Sequence, residues 1–174
     1  MSWNRLAGLA AVVAAALIAA AVASPRWFSG AHAGRAHGVG PLGVEECAQG
    51  HCASAWWGDV ATTPGAWAAL GVGVAVTGAL GAACVAITGA LAFVRRRPPW
   101  SAQLPLGLAL GFVALTAAFW LTRPRAGLPP ATPASGLVLA LTGGVAATAA
   151  MTLSLVARAR APRRAPHRPE GATR

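Results

Sequence analysis

Four uncharged stretches, Leu6–Ala23, Ala66–Val94, Ala102–Thr122 and Ala134–Ala157, alternate with segments that hold every charged residue and every histidine. They run for 18, 29, 21 and 24 residues. A helix needs roughly 20 apolar residues to cross about 30 Å of hydrocarbon, so all four are long enough. None shows the period-two alternation of a barrel strand. The pattern predicts an all-α integral membrane protein, a four-transmembrane-helix bundle. Its segments are a cytoplasmic start at 1–5 and spans at 6–23, 66–94, 102–122 and 134–157. Between them lie an extracytoplasmic loop at 24–65, a cytoplasmic turn at 95–101 and an extracytoplasmic connector at 123–133. An Arg-rich cytoplasmic tail at 158–174 is too polar to fold. Ala21-Val22-Ala23 would suit signal cleavage. The 18-residue run nevertheless exceeds the ~7–15 residues of a usual signal core, so a retained, uncleaved signal-anchor helix is the expectation.

Composition sharpens this reading. Hydrophobic residues make up 56% and charged residues 10%, against about 45–50% and about 25% in soluble domains. An ordinary soluble enzyme is excluded, and no conventional catalytic triad, carboxylate pair, phosphate loop or zinc-peptidase motif is present. All fourteen basic residues are arginines and the net charge is +10. With the N-terminus cytoplasmic, ten arginines lie inside: Arg5, Arg95, Arg96, Arg97, Arg158, Arg160, Arg163, Arg164, Arg168 and Arg174. Four lie outside: Arg26, Arg35, Arg123 and Arg125. Cationic loops stay on the cytoplasmic side, so the bias predicts both termini cytoplasmic; the expected location is the plasma (inner) membrane. Tryptophans favour the headgroup level, which makes Trp27, Trp67, Trp100 and Trp120 expected interface anchors. The tail can contact anionic lipid at about 1 kcal/mol per arginine, or serve only to fix topology. No aromatic residue is interleaved with its arginines, which argues against nucleic acid.

The segment after the first span is where a site would fit. Cys47 and Cys52 enclose Ala48-Gln49-Gly50-His51. With Gln49-Gly50 as a two-residue turn, Ala48 faces His51 and Cys47 faces Cys52 in a non-hydrogen-bonded pair. Such a pair has Cα atoms about 4.5 Å apart, close enough for a disulfide. The expected arms are Val39–Glu46 and Ala53–Trp57, giving a small disulfide-bonded β-hairpin or sheet. A redox or metal-handling site built on Cys47, Cys52 and His51, with His32 or His37, is an open alternative, because thiolates and imidazoles suit zinc or copper. No cofactor is expected. Glu45 and Glu46 are adjacent, so in a strand they point to opposite faces and make a poor catalytic pair.

Small residues repeat along the spans. Gln103, Gly107, Gly111, Ala114 and Ala118 share one face of the third span, Thr77, Gly81, Cys84 and Thr88 one face of the second, and Gly144 and Thr148 one of the fourth. Helices in lipid associate by close packing. Gly107, Gly111, Thr77, Gly81 and Gly144 are therefore the expected packing positions inside the bundle, with a dimer interface or ligand groove as the alternative. Cys84 is expected to be a free thiol packed as a small apolar group. Uncharged spans argue against proton relays, ion pathways and voltage sensing.

Four spans with both ends inside, Trp27 early in a long first outer loop, and Cys47 and Cys52 before the second span resemble the claudin and peripheral-myelin-protein tetraspans. The chain departs from that pattern at Gly40-Pro41-Leu42-Gly43-Val44, which lacks the family's second tryptophan, and in having only four residues between its cysteines. The resemblance implies a left-handed four-helix bundle topped by a small sheet, acting through lateral or facing contacts. The expected function is non-enzymatic: a multi-pass membrane protein, in a lipid bilayer, with an extracytoplasmic interaction module. A homo-oligomer and an accessory subunit of a larger membrane complex remain alternatives.

Overall fold

The computed structural model describes residues 3–32, 34–60, 64–94, 103–124 and 131–160. Trp100, Pro98-Pro99 and Ser101, Arg95–Arg97 and the tail beyond Arg160 lie outside them. Helix α1 (Trp3–Ala23) leads into strands β1 (Phe28–His32), β2 (Arg35–Val39), β3 (Gly43–Ala48) and β4 (His51–Trp56). A single 3-10 turn, Trp57–Asp59, precedes α2 (Gly65–Phe93). Then come α3 (Gln103–Leu121), the two-residue β5 (Thr132–Pro133) and α4 (Ser135–Arg160). Each of the four helices is long and apolar enough to cross a membrane. Their limits fall within three residues of those read from the charge-free runs, α1 and α4 extending past them to take in Arg5 and Arg158–Arg160.

The helices form a ring in which α1 and α3 each pack on both α2 and α4. The sheet sits where α1 and α3 end and α2 and α4 begin. Its order is β4-β3-β2-β1-β5, antiparallel throughout. The connector between α3 and α4, expected to be a plain link, supplies β5 to the free side of β1.

The bundle is apolar on its outer surface as well as inside. The inward face of α1 is small: Ala11, Ala14, Ala15 and Ala21 with Ile18. Large aliphatic residues point outward, among them Leu9, Val13, Val76, Leu80, Leu110, Val138 and Val145. Small inward faces let backbones approach closely. Gly8 of α1 and Gly89 of α2 bring two helix backbones close together. A Cβ on Gly89 would lie 2.7 Å from the Gly8 carbonyl oxygen, and one on Gly8 would lie 2.9 Å from that of Gly89. Several hydroxyls inside the helices are satisfied locally: Thr77 donates to Gly73, Thr88 to Cys84 and Thr148 to Gly144, each to a carbonyl four residues back. This pattern meets the hydrogen-bonding need of a polar group in an apolar medium.

The packing positions expected from sequence divide. Gly81 and Gly144 are buried, against Leu108 and Val113 of α3 respectively. Thr77 is half-buried and its hydroxyl returns to its own helix rather than bridging to another. Gly107 and Gly111 must be corrected: Gly107 is exposed, and a Cβ at either would meet nothing within 4 Å. The face of α3 turned inward is Pro105, Ala109, Phe112, Thr116 and Phe119. Aromatic rings rather than glycines fill the space there: Phe112 lies against Gly78 of α2 and Gly144 of α4, and Phe119 against Gly71 of α2. Cys84 is a free, half-buried thiol.

Candidate functional site: the disulfide-bonded sheet

The β3–β4 hairpin is built on its turn. Gln49 and Gly50 both adopt positive φ, 50° and 84°, which matches the twist of the flanking strands. Ala48 then pairs with His51 and Cys47 with Cys52. The cysteines are disulfide-bonded with their Cα atoms 4.0 Å apart. Six pairs run along this hairpin, and β3 is held on its other side by four pairs to β2.

Strand alternation sorts the side chains. Val44, Glu46, Ala48 and His51 fall on one face, Glu45, Cys47 and Cys52 on the other. The trio Cys47, Cys52 and His51 is thereby corrected as a ligand set: the imidazole belongs to the opposite face, and the disulfide ties up both thiolates. The acid near the sulfurs is Glu45, whose carboxylate lies within 4.8 Å of both. Each glutamate has its own arginine. Arg26 Nε donates to Glu45 Oε2 at 3.0 Å, and Arg35 Nη1 to Glu46 Oε1 at 2.8 Å. The Arg35 pairing raises that guanidinium's pKa above its ordinary value, by the hydrogen bond first and the charge of Glu46 second. Solvent screens exposed pairs of this kind, so they contribute little to stability. Arg26 also places Nη2 4.0 Å from Cys47 Sγ.

Beneath the sheet lies a cluster of aromatic rings that joins it to the helices. Trp67 stacks on Phe119 with ring centroids 4.2 Å apart and planes at 8°. Trp27 meets Phe119 edge-on at 5.9 Å, and Trp57 meets Trp67 at 5.1 Å. The indole N–H groups complete helix ends. Trp27 Nε1 donates to the Ala21 carbonyl at 2.7 Å and Trp67 Nε1 to the Phe119 carbonyl at 2.9 Å, both in the last turns of α1 and α3. Carbonyls in a last turn have no partner within their helix, so each indole fills a need the helix cannot meet. Trp57 Nε1 donates to the Pro41 carbonyl at 2.9 Å. That carbonyl rests on Gly71 of α2, where there is no room for a Cβ. The backbone of Trp27 bridges Val39 and Ala134, at 2.9 and 2.8 Å, fastening the sheet to the start of α4. Half-buried Arg123 lies 4.9 Å from the Phe28 ring centroid and donates to the Ala131 carbonyl at 2.7 Å. Burial lowers its pKa.

Trp27 and Trp67 are thus corrected from interface anchors to interior residues, 0% and 3% exposed. Trp120 is 43% exposed at the sheet end of α3. Of the adjacent pair Trp56 and Trp57, the first is exposed and the second buried. Trp57, Phe28, Phe119 and Arg26 were not singled out from sequence. Only Trp57 carried a signal, since neighbouring residues leaving a strand point to opposite sides and one of the two indoles had to turn inward.

No family model and no curated protein matches the chain. What the sheet does must therefore be argued from its own geometry.

Proposed function

We propose that the chain is a non-enzymatic multi-pass protein of the plasma (inner) membrane, with both termini cytoplasmic and the sheet serving as a rigid extracytoplasmic interaction module. The observation that carries this reading is the attachment of the sheet. The buried aromatic cluster and the backbone bonds of Arg26 and Trp27 join it to all four helices, so its exposed surface is held in fixed relation to the bundle. The outward girdle of large aliphatic side chains supports lipid as the solvent for the helices. α2 and α4 both run away from the sheet, into the Arg-rich sequences at 95–97 and 158–174, which supports a cytoplasmic location for the opposite end. Ala21 accepts the Trp27 indole and α1 supplies the Gly8 contact, both of which support α1 as a retained span.

The resemblance to claudin and peripheral-myelin-protein tetraspans belongs to the same proposal. It is supported by a sheet at one end of four helices and a disulfide between neighbouring strands. Contact made laterally or face to face is the mode of action that follows. A photoreactive residue at exposed Ser54 of β4, irradiated in native membranes, tests it. A discrete adduct is expected, of doubled mass for a second copy or of another defined mass for a larger complex. Monomer alone would contradict the module reading.

A further inference from the structure

We propose that Cys47–Cys52 is an exchange-active disulfide, a site of covalent modification by thiols, in which Cys52 is the sulfur attacked and Cys47 the one that leaves. Three independent features converge on it. First, the bond is not what holds the sheet. It closes a loop of four residues already closed by the Gln49-Gly50 turn, inside a hairpin of six pairs. Opening it leaves that register in place.

Second, the two sulfurs differ in access. A thiolate attacks a disulfide in line with the bond, on the side away from the leaving sulfur. The bond runs from β3 to β4, and β4 is the last strand of the sheet among the described residues. The approach to Cys52, which is exposed, therefore opens past the free edge. The approach to Cys47, which is half-buried, crosses β2 at Ala36.

Third, the leaving sulfur has a cation beside it. Arg26 Nη2 lies 4.0 Å from Cys47 Sγ and can donate to the thiolate as it forms. A leaving thiol of lower pKa leaves faster. Glu45, within 4.8 Å of both sulfurs and bonded to Arg26, acts the other way by repelling the developing charge.

The step balances without an external oxidant. An incoming thiolate RS⁻ forms a bond to Cys52 Sγ, the S–S bond breaks, and its electron pair departs on Cys47 as a thiolate. The product is a mixed disulfide on Cys52. Attack by Cys47 reverses the reaction, and a second RS⁻ completes reduction with release of RSSR.

The test uses the full chain in detergent micelles, with Cys84→Ser as background and glutathione as the probe. Early time points are quenched in acid and mapped by mass spectrometry. The expected result is glutathione on Cys52 in roughly tenfold excess over Cys47. Arg26→Gln should slow the reaction severalfold, Arg26→Lys should retain most of the rate, and Glu45→Gln should accelerate it. Circular dichroism on each variant identifies any loss of rate that comes from a lost sheet. Equal labelling of the two cysteines, adducts mainly on Cys47, or a folded Arg26→Gln variant reacting at the parent rate would overturn the proposal. The chemistry is read in solution on the isolated chain, so its failure is distinguishable from failure of the module reading.

Discussion

At the scale of single residues, two buried polar groups should respond to substitution with opposite sign. The Trp67 indole stacks on Phe119 and donates to that residue's carbonyl. Trp67→Phe keeps most of the ring contact but orphans the carbonyl, at a cost of about 1–3 kcal/mol. Trp67→Ala empties the site as well and should cost about 3–5 kcal/mol. Thr116 is the converse: its hydroxyl is buried without a hydrogen-bond partner among the described residues. Thr116→Val removes a desolvated group at nearly constant shape and should stabilise by about 1 kcal/mol. Thermal unfolding in detergent, with both proteins compared in the same micelle, reads these differences. The disulfide was legible in the sequence because strand arithmetic around Gln49-Gly50 leaves the cysteines opposite one another. The roles of Trp27 and Trp67 were not. A tryptophan at the end of an apolar run looks the same whether its indole meets lipid headgroups or lies under a sheet that comes from elsewhere in the chain.

Among the elements, the α1–α2 crossing depends on Gly8 and Gly89, whose backbones meet too closely for any Cβ. Gly89→Leu must push the helices apart and should destabilise the bundle by about 1–3 kcal/mol or more. Gly107→Leu, on an open face of α3, should stay within about 0.5 kcal/mol. Equal effects at the two sites, again by thermal unfolding, would contradict the assignment of faces. The number and extent of the helices were plain from the charge-free runs. Their inward faces were not, for a physical reason. In a chain solvated by lipid both sides of a helix are apolar, so hydrophobicity does not mark the core. Small residues mark only where close approach is feasible. Gly107 and Gly111 have the right spacing, yet α3 turns Phe112 and Phe119 inward instead. The short β5 was also hidden, since Thr132 and Pro133 become a strand only by pairing with β1.

For the whole molecule, the account rests on one arrangement. Four helices apolar enough to cross a membrane carry the sheet at one end, fixed there by buried rings, and α2 and α4 run from that end toward Arg-rich sequences. The sheet holds Glu45 and Glu46 in ion pairs, while the sequences that follow Val94 and Val156 are rich in arginine. The proposed threading rests on the retention of cationic segments in the cytoplasm. The most direct measurement is a pair of reporter fusions in living cells, alkaline phosphatase inserted at the Gln49-Gly50 turn and a fluorescent protein after Arg174. The account predicts an active phosphatase and a bright fluorescent protein, placing the sheet outside and the tail inside. An inactive phosphatase with a dark C-terminal fusion, from a chain that is stably inserted, would contradict it.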